Sequence, residues 1–248
     1  WEPALAEGRN VGLTGAATEQ QRMEFLRRMM AADRSDLLGT TVEGPVGEAS
    51  ITPAVPDWME RYRTQPDTIR LVRGKYDINS DIVLPQGTAL VLERGTRLFF
   101  APGKHLVVNG ALHMRGTELN PVFIRPAEEG GTYAGIVVRG QGSTPCRLRG
   151  VRMSGGTGAW VDGAHYSGML TFVGCDVLVS DCTMEIGPKA PGIAVRAGKA
   201  LLQRDRFTTA GGVVLQAEGA QVQVQQVTFV GEGAGAAGIE QVAGELLL

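Results

Sequence analysis

Cys146-Arg-Leu-Arg-Gly-Val-Arg-Met153, Val177-Leu-Val-Ser-Asp-Cys-Thr-Met184, Ala200-Leu-Leu-Gln-Arg-Asp-Arg-Phe207 and Val222-Gln-Val-Gln-Gln-Val-Thr-Phe229 superimpose without a gap. Each carries an apolar residue at its first, third and last position. Val151, Cys182 and Val227 continue the pattern at the sixth, where the third segment has Asp205 instead. The closing residues Met153, Met184, Phe207 and Phe229 lie 31, 23 and 22 positions apart. Alternation of this kind marks strands with one buried face. A period near 22 residues marks a solenoid, in which each repeat buries that face against its neighbours. The four closing residues are therefore expected to stack in one interior column.

Working outward, each segment is followed by a glycine-rich bend and an apolar stretch: Ala159-Trp-Val161, Gly192-Ile-Ala-Val195, Gly212-Val-Val-Leu215 and Gly238-Ile-Glu-Gln-Val242. Upstream, Gln86-Gly-Thr, Arg94-Gly-Thr, Pro102-Gly-Lys, Asn109-Gly-Ala and Arg115-Gly-Thr punctuate Ala89–Leu92, Arg97–Phe100, Leu106–Val108 and Leu112–Met114. These strands are too closely spaced for crossover helices, which excludes a Rossmann-like or TIM-like layout. An antiparallel sandwich has no reason to repeat every 22 residues. The reading is a right-handed parallel β-helix, an all-β solenoid of roughly eight rungs and about 40 Å in length at ~4.8 Å per rung.

Composition agrees. Glycine supplies 35 of 248 residues, about twice its usual share, as many tight turns require. With Lys plus Arg at 24 and Asp plus Glu at 26, the net charge is −2, which argues against a general nucleic-acid binder. Three cysteines, Cys146, Cys175 and Cys182, make no disulfide framework. No apolar run is long enough to span a bilayer. The chain opens at Trp1 without a methionine and reads as part of something longer.

Residues 1–68 differ in character from 69–248: they hold six of the glycines and carry seven basic against 11 acidic residues. Thr18 with Gln21 forms a capping-box pattern ahead of an amphipathic helix over Glu19–Leu38, and Gly39 is placed to end it. A proline-rich connection follows, and Asp57 is positioned to cap a short helix over Trp58–Arg63. Residues 1–68 are expected to form a helical cap and linker, with Phe25, Leu26, Met29 and Met30 against the first rungs of the β-helix domain 69–248.

A resemblance then becomes specific. Asp81-Ile-Val-Leu-Pro-Gln-Gly87, Gly95-Thr, Ala101-Pro-Gly103, Gly110-Ala-Leu112, Arg115-Gly-Thr117, Asn120-Pro-Val122 and Gly135-Ile-Val-Val138 follow one another in order, with Gly163–Phe172 and Cys175-Asp-Val177 beyond them. Over roughly residues 69–230 the chain resembles the pectin-lyase-like parallel β-helix module of bacterial exported proteins, of the kind associated with CotH-type proteins. The resemblance implies a periplasmic or extracellular location at the cell envelope. It specifies fold more than activity. Relatives often carry Asp-Ala/Gly-x-Asn/Asp signatures on successive rungs, whereas Ala190–Ala194, Ala210–Val214 and Ala237–Glu240 keep one carboxylate, Glu240.

Three groups of residues invite a chemical reading. Asp205 breaks an otherwise apolar column, and an inward carboxylate is a site candidate. Arg115, Arg125, Arg139 and Arg196 each close a short strand and would make a basic strip for an acidic glycan if stacked; solvated turn charge is the plainer alternative. The loop Ser154–Gly168 lengthens one repeat and carries Trp160, Asp162, His165 and Tyr166. Its aromatic side chains either offer faces to sugars or anchor the loop to the coil.

The function expected is a non-catalytic envelope or surface scaffold binding polysaccharide, acidic sugars included, through Trp160, His165, Tyr166 and the four arginines. One alternative is a polysaccharide lyase or hydrolase using the arginine strip with Asp162, His165 or Asp205. Another is a structural or docking module in which a further domain or chain meets the apolar end Glu245-Leu-Leu-Leu248. Nothing in the sequence asks for a cofactor or a metal, and no nucleic-acid partner is expected.

Overall fold

The computed structural model describes residues 52–140, 144–188, 190–231 and 237–247. Among them Asp57–Glu60 is the sole helix, and no helix is long and apolar enough to cross a membrane. Everything else regular is strand. The expected helix Glu19–Leu38, with Phe25, Leu26, Met29 and Met30, lies outside the described residues.

Successive strands fall in turn into three parallel stacks. The first takes Thr68–Leu71, Ala89–Glu93, Leu112–Arg115, Cys146–Arg149, Val177–Ser180 and Lys199–Gln203. The second is a seven-stranded sheet of Gly74–Ile78, Thr96–Phe100, Val122–Pro126, Val151–Ser154, Thr183–Ile186, Arg206–Thr209 and Thr228–Gly231. The third takes Ile82–Leu84, His105–Val108, Gly135–Arg139, Leu170–Val173 and Ile193–Arg196. The long strand Val213–Gln225 continues the third stack with its first half and the first stack with its second. Ala237–Leu247 pairs parallel to it. The described residues are almost entirely β, mainly parallel and solenoid-like.

Register puts like residues over like. In the seven-stranded sheet Tyr76, Leu98, Ile124, Met153, Met184, Phe207 and Phe229 form one column. The four residues singled out from the repeat are thus stacked as expected, with one difference. Met153, Met184 and Phe207 are buried, but Phe229 is 38% exposed, stacked on Phe207 at 5.9 Å between ring centroids. It belongs to the last strand of its sheet, which among the described residues is paired on one side only. The first stack buries Leu71, Leu92, Met114, Leu148, Val179 and Leu202 in the same way. At the opposite end Met59 is fully buried, and Trp58 and Tyr62 place their rings 5.8 and 5.5 Å from that of Tyr76. Asp57 is the first residue of its helix and not the cap: Pro56 holds the cap position without a side-chain bond, and the helix ends at Glu60.

The turns between stacks share a left-handed bend that glycine fills at some corners and other residues at the rest. The residue between the first and second stacks has φ of 58° at Gly150, 56° at Asp181, 54° at Arg204 and 54° at Gln226. Beyond the third stack the same left-handed bend recurs at Gly174 (64°), Ala197 (53°) and Gly219 (58°). Glycine enters this region without steric penalty, and other residues at a penalty of roughly 1–2 kcal/mol.

Candidate functional site

The long repeat contains a β-hairpin. Ala159–Val161 pairs antiparallel with Ala164–Tyr166, so that Trp160 faces His165. The loop is Asp162-Gly163, with φ of 50° and 77°, a pair of left-handed residues as a two-residue hairpin turn demands. Ala159–Val161 is therefore not the counterpart of Ile193–Val195. That place belongs to Leu170–Phe172, which is in register with it. Asp-Gly between two alternating triplets was the available sequence signal for a hairpin.

The hairpin lies on the outward side of the third stack. There Val83, Val107 and Val137 form an apolar column, and Ala159 and Val161 pack on it with Tyr166 at the edge. Alternation within the triplet Ala159-Trp160-Val161 then decides the question of the loop's anchor. Ala159 and Val161 are buried, and Trp160 points away, 39% exposed, its ring 5.1 Å from that of His165. Trp160 is not an anchor.

Two of the four arginines hold this hairpin. Arg139, Val173, Arg196 and Glu218 share a column. Arg139 Nη1 donates to Asp162 Oδ2 at 2.9 Å, and Arg196 Nη1 donates to the His165 carbonyl at 3.2 Å. Both guanidinium groups lie over the Tyr166 ring, at 5.3 and 5.9 Å, and Arg196 also pairs with Glu218 at 2.8 Å. Ser167 Oγ donates to Gln216 Oε1 at 2.7 Å and ties down the exit. Burial, with the positive charge of Arg196, lowers the pKa of His165, so its imidazole is neutral at pH 7. Tyr166 is half-buried beneath two cations and positions them; the open aromatic surface belongs to Trp160.

The other two arginines lie elsewhere, so the four do not form one strip. Arg115 sits in the first stack beside Glu93, at 3.4 Å. Arg125 sits in the seven-stranded sheet, over the Phe99 ring at 4.8 Å. The reason is the three-stack course of the chain: residues that each close a strand close strands on different faces.

Asp205 is an inward carboxylate, 2% exposed, as its column implied. It spans a corner, with Oδ1 accepting from Cys182 N at 2.8 Å and Oδ2 from Gln203 N at 3.0 Å. Burial raises its pKa to about 7 against the opposing pull of those two bonds. It belongs to the turn before Arg206–Thr209, whereas Asp162 and His165 belong to the hairpin on the third stack; the catalytic candidates are not brought together. Cys146, Cys175 and Cys182 are buried and unbridged. Among the described residues no three of His, Cys, Asp and Glu are placed to hold a metal ion.

No protein family, curated protein or solved structure matches the chain.

Proposed function

We propose that the chain is a right-handed parallel β-helix module of about eight rungs, of the pectin-lyase-like kind, serving as a non-catalytic polysaccharide-binding scaffold at a bacterial cell envelope. The observation that carries the binding role is Trp160. A large aromatic ring is held away from the body by a hairpin whose anchoring is done by Ala159 and Val161, and a neutral His165 ring stands beside it. An indole presented in this way suits the apolar face of a sugar ring. Arg139 and Arg196 hold the platform still, so little conformational freedom remains to be lost on binding. Binding is favoured over turnover by the carboxylates: Asp162 is paired with Arg139 and Asp205 with backbone amides.

The test is a glycan array followed by titration of the best binder. Trp160→Ala is expected to weaken binding several-fold, as loss of an aromatic contact of on the order of 1 kcal/mol does, with an unchanged melting temperature. Binding indifferent to Trp160 overturns the platform. Release of unsaturated or reducing sugar by the purified chain replaces the binding role with a lyase or hydrolase.

A further inference from the structure

The outward side of the seven-stranded sheet carries a second pattern, separate from the hairpin. Register places Lys75, Arg97, Phe123, Arg152, Thr183, Arg206 and Thr228 in one column. In the neighbouring column Asp77 is followed by Phe99 and Arg125. Each of five strands thus presents a cation: Lys75, Arg97, Arg125, Arg152 and, after the strand of Thr183, Arg206. All five are exposed. At ~4.8 Å per strand the line from Lys75 to Arg206 is about 24 Å long.

The two phenylalanines are set between these cations. Lys75 and Arg125 lie over the Phe99 ring at 5.0 and 4.8 Å, and Arg97 and Arg152 lie over the Phe123 ring at 5.8 Å each. A guanidinium resting on a ring is held by its face and keeps its N–H edge for an acceptor. Lys75 pairs with Asp77 at 3.1 Å. Among the described residues no carboxylate oxygen lies within 4 Å of the cationic nitrogens of Arg97, Arg125, Arg152 or Arg206. Arg63, Arg70, Arg115, Arg139, Arg149, Arg196 and Arg204 each have one; Arg61, Arg73, Arg94 and Arg147, outside the strands of this sheet, do not form such a column.

Like charges directly opposite across neighbouring strands are destabilising, and Lys75 faces Arg97. Simple solubility is served as well by mixed charge, as the first stack shows where Glu93 lies between Arg70 and Arg115. A groove of about 410 Å³ opens at the corner of the sheet, and Arg149, Arg152, Arg204 and Arg206 line it with Asp181 and Glu118. Asp181 is taken up by Arg204 and Arg149, at 2.8 and 3.4 Å. Arg152 and Arg206 thus serve both the sheet face and the groove.

We infer that the outward face of the seven-stranded sheet is a second binding surface, for a linear polysaccharide bearing carboxylate or sulfate groups, laid along the stack. Regularly spaced guanidinium groups match regularly spaced anions, and each fork takes two oxygens of one group. A single-stranded nucleic acid would need open rings for its bases, and here both rings are covered by cations.

The experiment uses the full chain and three probes at low salt: polygalacturonate for carboxylate, heparin for sulfate, and a thymidine oligonucleotide. Binding of one or both polysaccharides is expected, weakening steeply as salt is raised. The triple variant Arg97→Gln, Arg125→Gln, Arg152→Gln is expected to lose at least about tenfold in affinity, whereas Arg70→Gln, which removes a cation of the first stack already paired with Glu93, leaves polyanion binding unchanged. If the triple variant does not fold, Arg125→Gln and Arg152→Gln singly, each several-fold weaker, carry the same test. The inference is overturned by no binding of either polysaccharide. Undiminished affinity in the arginine variants overturns it too, as does tighter binding of the oligonucleotide. Loss in Trp160→Ala alone assigns the polyanion to the hairpin.

Discussion

The third stack and the seven-stranded sheet are built from the same kind of strand, yet their outward sides have opposite fates. In the third stack His105–Val108 is buried at every position, and Gly135–Arg139 at all but its final arginine. In the seven-stranded sheet Thr96–Phe100, Val122–Pro126 and Val151–Ser154 alternate between buried and more exposed residues. The difference comes from what covers them. The chain lays its own hairpin over Val83, Val107 and Val137, so that side is a second, smaller core. Among the described residues nothing covers the cationic side. Where a solenoid covers a face with its own chain, that face contributes to stability as a further core. Where it does not, the strand side chains themselves face solvent.

A charge placed on each outward side is the sharpest way to break this comparison. Val107→Asp puts a carboxylate between the stack and its hairpin with no partner, and is expected to lower unfolding free energy by about 3–5 kcal/mol. Thr183→Asp puts the same group between Arg152 and Arg206, and is expected to change stability by no more than about 0.5 kcal/mol. Chemical denaturation of both variants decides it: similar effects would mean that the hairpin does not seal its face.

The inward side can be examined through pH. Asp205 has its pKa raised to about 7 from 3.8, chiefly by burial. The folded chain therefore keeps this proton over a range in which the unfolded chain has released it. The contribution is fully present below pH ~4 and is lost as pH rises towards 7, with an upper size of roughly 4 kcal/mol. His113 and His165, whose pKa values burial lowers, act in the opposite sense as pH falls below their ordinary value of 6.5. The measurement is therefore the difference in unfolding free energy between wild type and Asp205→Asn from pH 4 to 8. It should shift in favour of the variant as pH rises; a constant difference would place the carboxylate in contact with solvent.

The smallest expected effect lies at a corner. Ala197 has φ of 53° where Gly174 and Gly219 occupy the equivalent bends. Ala197→Gly removes the Cβ penalty at that bend and should raise stability by up to about 1 kcal/mol, seen as a small rise in melting temperature. A fall would show that unfolded-chain entropy outweighs the strain.

Much of this architecture was legible from residue order. Met153, Met184 and Phe207 announced their column because stacking at one residue type per rung forces the sequence period to equal the length of a coil. Asp205 announced its inward position by occupying a place in that period. Ala159–Val161 misled because a three-residue apolar triplet reads alike in a stack and in a hairpin, and the Asp162-Gly163 turn that separates the two cases passed as ordinary loop. The four arginines were grouped by position within their strands, which says nothing of which stack a strand joins.

The sequence by itself determined the parallel, repeating all-β character and the inward columns, since each depends on spacing along the chain. Only the tertiary structure decided which outward face is covered, which arginines are paired and which stand open, and that Trp160 points away from its support. Those outcomes depend on lateral neighbours such as Arg139 and Asp162 or Phe123 and Arg152. Such neighbours lie a full coil apart, where no local propensity acts on both.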